Sequence, residues 1–175
     1  MDGVTQWVEF AVVLICAAAA VQDLFYREIG NSLSLAIVAL FVVMPFSGVW
    51  AWASLPAVVG PAVAVFVVCA VLFVVGVLGG GDVKLLGATS LWITPGHVSA
   101  FLLSVALIGG LLSLLYLALR WMSPQRQQKQ GAVDRFCPGD HERSKTIPYG
   151  VAIAAGALSM WCLGAMGPPM LARVG

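Results

Sequence analysis

Charged residues are scarce in this chain: nine Lys and Arg, eight Asp and Glu and two His among 175 residues. A soluble domain carries about 25% Asp, Glu, Lys and Arg; here the share is 10%, against 61% hydrophobic residues. That deficit excludes an ordinary soluble globule and puts the chain in a bilayer. It also leaves dedicated nucleic-acid binding without support. Cysteine is sparse too, with Cys16, Cys69, Cys137 and Cys162 forming no C-x-x-C pair, so neither a disulfide framework nor a zinc site is expected. Cys137 and His141 in CPGDH supply two ligands at most, which do not make a metal site. The N-terminus lacks the basic region of a signal peptide and carries Asp2 and Glu9 instead, so the first apolar run is read as retained.

The chain is rich in apolar runs. A spanning helix needs about 20 such residues. Candidates cover about Val4 to Val21, Leu33 to Trp50, Leu55 to Leu78, Val98 to Trp121 and Pro148 to Leu171. Pro45 is expected to kink the second run or mark its end. A shorter run, VKLLGATSLWI, is too brief to span unless its helix starts inside the preceding glycines or the bilayer thins there. The expected fold is an all-α polytopic membrane protein of about six transmembrane helices. It forms one domain over residues 1–175, with a flexible cytoplasmic loop at 122–147.

Orientation follows from the basic residues. With six spans and the N-terminus outside, the first, third and fifth connections hold Arg27, Lys84, Arg120, Arg126, Lys129, Arg135, Arg143 and Lys145. Arg173 is the exception. The expectation is therefore N-out and C-out. The basic residues of the 122–147 loop are read as solvated, in contact with anionic headgroups.

Acids beside apolar segments are rarer still. Asp23 ends the first run and Asp82 ends the third, which puts both at the cytoplasmic boundary. One reading is a pair of boundary markers; the other is function, the default for ionisable groups in such positions. Gly79, Gly80 and Gly81 precede Asp82. Three glycines permit close helix packing or let a substrate backbone approach. Two carboxylates brought together cannot both ionise cheaply, so one holds a proton. The ionised one can then take a proton from water while the other donates to a peptide carbonyl. That chemistry needs no metal, cofactor or nucleophilic side chain. The spacing alone does not bring the two aspartates together, and intramembrane acids serve a proton- or ion-coupled transporter equally well.

Three segments resemble the prepilin peptidases, a family of intramembrane aspartic proteases. GGGDVKLL (Gly79 to Leu86) resembles their G-x-G-D motif. DLFYREIGN (Asp23 to Asn31) is similar to their first motif, an Asp followed by a basic residue and an Ile-Pro-Asn-like turn. IPYGVAIAAGAL (Ile147 to Leu158) is similar to their last span. Gly30 stands where the family often has Pro, which implies a looser turn. The resemblance implies that Asp23 and Asp82 are the catalytic pair. It implies that Gly79, Gly81 and Lys84 belong to the motif beside the substrate backbone, that Arg27, Asn31 and Tyr149 support the site, and that Pro148, Tyr149 and Gly150 position the last helix near it. No metal is implied.

The first cytoplasmic patch lacks the paired C-x-x-C insert of the bifunctional members, so N-methyltransferase activity is not expected. The resemblance is to the short, peptidase-only members of Tad/Flp pilus systems. It implies a multi-pass enzyme of the bacterial inner membrane that removes leaders from Flp-type prepilins and pseudopilins. Its partners would be those substrates, the lipid bilayer and the pilus assembly machinery, with no nucleic acid. Three alternatives remain: another G-x-G-D intramembrane protease with a different substrate such as a signal peptide, a small ion- or proton-coupled transporter, and a non-catalytic pilus assembly subunit.

Overall fold

The computed structural model describes residues 2–26, 30–48, 50–122 and 149–167. Arg27, Cys137, His141, Pro148 and nearly all of the 122–147 loop lie outside the described residues, as do the last eight positions of the chain. Among the described residues there are six α-helices: α1 (Asp2–Tyr26), α2 (Asn31–Phe46), α3 (Leu55–Val74), α4 (Gly80–Ser90), α5 (Val98–Met122) and α6 (Tyr149–Cys162). Short 3₁₀ turns at Trp52–Ser54 and Pro95–His97 lead into α3 and α5. The protein is all-α.

Length separates the helices into two groups. Gly3–Tyr26, Trp52–Val74 and Pro95–Leu119 are long and apolar enough to cross a membrane. The others are shorter, with 16 residues in α2, 11 in α4 and 14 in α6. At 1.5 Å per residue α4 is only about 16 Å long. It does begin inside the glycines, at Gly80, yet it stays short.

Helix ends follow local chemistry. Pro45 sits in the last turn of α2 and marks its end. The third apolar run continues to Leu78, but α3 stops at Val74 because Gly76 turns the backbone at φ +81°. There the Gly76 N–H donates to the Phe73 carbonyl and the Val77 N–H to the Leu72 carbonyl. This pair of bonds satisfies carbonyls that a helix end leaves unpaired. The same arrangement closes α6 at Gly164, φ +64°, where Gly164 and Ala165 donate to Trp161 and Met160.

The short helix α4 is the centre of the bundle. It packs on α1, α2, α3 and α6, and Asp82, Val83 and Leu85 through Ser90 are all buried. Gly87 lets the Phe66 side chain lie against the α4 backbone, where an added Cβ would come within 2.8 Å of it. On the other side α6 lies between α1 and α5. Beyond α4 the chain is pinned by Trp92, which is fully buried. Its Nε1–H donates to the Ile37 carbonyl at 3.2 Å, and its ring meets Phe41 and Trp50 edge-on. Trp92→Phe keeps most of the ring and loses that hydrogen bond. We expect a cost of about 1 kcal/mol, read as a lower denaturation midpoint in detergent.

The segment after α6 returns to this tryptophan. Ile93 and Met166 form an antiparallel bridge. Thr94 donates to the Ala165 carbonyl and Gly167 to the Trp92 carbonyl, each at 2.9 Å. The ends of α4 and α6 remote from Asp82 and Asp23 are thus joined.

Candidate active site

Asp23 lies in the last turn of α1, and Asp82 in the first turn of α4. Both are buried, at 8% and 6% exposure, and the two carboxylates lie within electrostatic reach of each other. The fold therefore brings together two acids 59 positions apart in sequence.

Each carboxylate has a backbone donor at a helix N-terminus. The first N–H groups of a helix have no partner inside it, so they are available to an acid. Gly79 caps α4 in extended geometry, φ −74° and ψ 146°, and its N–H reaches the Asp82 carboxylate. An acid three residues into the helix that accepts from the cap N–H is one half of a capping box. The second donor comes from α6. The Gly150 N–H donates to Asp23 Oδ2 at 2.8 Å across 127 positions of sequence.

Both glycines are required for room. A Cβ on Gly150 would lie 2.9 Å from the Cβ and Oδ2 of Asp23, and one on Gly79 would lie 2.8 Å from Asp82 Oδ2. The space left by Gly79 is thus filled by the carboxylate of Asp82 itself. Gly80 faces the Phe73 ring. Gly81 continues the first turn of α4.

Lys84 is exposed and donates through Nζ to Asn31 Oδ1 at 2.8 Å. Two residues expected in and around the motif thus tie the start of α4 to the start of α2. Gly30, at the expected looser turn, caps α2, and its N–H donates to Gln22 Oε1 at 3.1 Å. Tyr149 lies at the start of α6, its ring against Gly109 of α5. Arg27 lies outside the described residues. The residue underrated in the sequence is Gly150, read there only as helping to position the last helix. The available signal was a glycine opening an apolar helix, where unpaired N–H groups are concentrated.

A third buried acid, Glu9, sits fourteen residues before Asp23 on α1, about 21 Å away along the helix. Its carboxylate rests against Gly167, whose φ is +100°. It belongs to the opposite end of the bundle. Among the described residues no three His, Cys, Asp or Glu side chains group as a metal cage.

The type IV leader peptidase family matches residues 10–114. That is more than half of the 175-residue chain. This chain belongs to that family. Comparison with curated proteins and with solved structures returns no match. The leader peptidase match contains both aspartates and the whole GGGD motif. It ends before α6, so Tyr149 and Gly150 lie outside it. Membership makes the chain a peptidase-type hydrolase, and its long apolar helices make it a membrane protein.

Proposed function

We propose that this chain is a membrane-embedded aspartic endopeptidase that removes the leader of Flp-type prepilins and pseudopilins at the cytoplasmic face of the bacterial inner membrane. The observation that carries the reading is the meeting of Asp23 and Asp82, each buried and each taking a backbone N–H at a helix N-terminus. In this mechanism the pair shares one proton. The ionised carboxylate takes a proton from water, the water oxygen attacks the scissile carbonyl, and the protonated carboxyl donates to the carbonyl oxygen. Collapse of the tetrahedral intermediate returns a proton to the leaving amine. Gly79 and Gly81 keep the α4 entry narrow beside the substrate backbone, and Lys84, Asn31, Arg27 and Tyr149 hold its surroundings. The product passes to the pilus assembly machinery.

The proposed topology has six membrane-inserted helices, with both termini outside. The three short helices then sit within the bundle that the long ones form. Co-expression with a Flp-type prepilin tests the activity, and wild type is expected to shorten the prepilin by its leader. A reporter fused between Gln125 and Lys145 tests the orientation. It should read as cytoplasmic, and a periplasmic signal would reverse the topology.

A further inference from the structure

The two long helices α3 and α5 scarcely touch. An apolar groove of about 680 Å³ runs between them, with Leu86 of α4 on its floor. On α3 the lining runs from Pro61 through Ala64 and Val68 to Leu72; on α5 it runs from Ser99 through Leu102 and Ala106 to Gly110. Spacings of three and four residues put each set on one helix face. Each stripe covers eleven residue steps, about 17 Å at 1.5 Å per residue.

One end of the groove stops one residue short of the donors to the two aspartates. Its lining there includes Leu78 and Tyr149. Leu78 directly precedes Gly79, the donor to Asp82, and Tyr149 directly precedes Gly150, the donor to Asp23. The walls are matched to a helix. Ala64, Ala106 and Gly110 are small enough for another backbone to come close, while the rest of the lining is mostly apolar.

We propose that the α3–α5 groove holds the hydrophobic segment of the peptide substrate as a helix, with the scissile bond delivered past Leu78 and Tyr149 to the two carboxylates. The assignment rests on the peptidase reading above. A helix filling the groove spans about eleven residues, so recognition depends on the apolar stretch after the cut as well as on the cut itself. A second groove lies between α2 and α3, lined by Ser34, Val63 and Lys84. It runs only from Asn31 to Val38 on α2, about 10 Å, and its polar end lies at the Lys84–Asn31 bond. It fits a spanning segment less well.

The test uses full-length protein in membranes with a full-length Flp-type prepilin. A photoreactive benzoylphenylalanine is placed in turn at Ala106, at Val63 in the second groove, and at Leu111, which is exposed on the side of α5 turned away from Ala106. A prepilin adduct from position 106 alone is expected. Adducts from 63 or 111 instead, or from none of the three, overturn the assignment. Cleavage is followed in parallel. Ala106→Trp and Val68→Trp should each slow prepilin cleavage about tenfold at unchanged abundance, and Leu111→Trp should not slow it. Unslowed cleavage by both groove variants also overturns the proposal. If wild type cuts no prepilin yet position 106 forms the adduct, the peptidase reading fails and the groove stands. If wild type cuts and position 106 forms no adduct, the groove fails alone.

Discussion

Asp23→Asn and Asp82→Asn should each lower prepilin cleavage by about 10²–10⁴-fold, while the variants still insert and accumulate. Asparagine preserves the size of the side chain. Its amide oxygen still accepts the Gly79 N–H at position 82 or the Gly150 N–H at position 23, so the helix starts need not move. What it loses is the ability to take up and release a proton. A large loss in both variants, at normal abundance, identifies the two groups as one acid–base unit. Cleavage within tenfold of wild type in either variant would end the two-aspartate mechanism. A transporter or an assembly subunit would leave no leader-removing activity to lose.

Gly150→Ala is expected to cost about 10²-fold in cleavage, although it removes no functional group. The new Cβ would lie 2.9 Å from the Cβ and Oδ2 of Asp23 and 3.2 Å from its Cγ. The Cβ of Asp23 is tied to the backbone of α1 and has little freedom to yield. Either the start of α6 moves away from α1 or the carboxylate turns aside. A misplacement of about 1 Å at a catalytic group is enough for a loss of that size. Gly60→Ala is the matching control. It lies in α3 with nothing within 4 Å of an added Cβ, and alanine is the better helix former. Its activity should stay within about twofold of wild type. Equal activity in Gly150→Ala and Gly60→Ala would show that the Asp23–Gly150 contact does not position the carboxylate.

The two aspartates were legible because acids are so rare in this chain, and because three glycines in a row mark the entry to α4. The apolar runs located the six helices found among the described residues, since hydrophobic length is a local property. Helix ends were harder to read. The third run looks continuous to Leu78, yet one glycine at positive φ ends α3 four residues earlier. The donor to Asp23 was legible only as a glycine opening an apolar helix. Gly150 lies 127 positions away, and no local pattern says which helix start will face which acid. Glu9 was visible as an acid near the far end of α1. Its seat against Gly167 depends on the chain returning to the Trp92 segment, which composition does not encode.

That return has a mechanical consequence. The bridge between Ile93 and Met166 fastens α4 to α6 at one end, and the donors to the two carboxylates stand at the other. The clasp fixes the axial register of α4 against α6, so neither helix start can slide along the other without breaking the bridge.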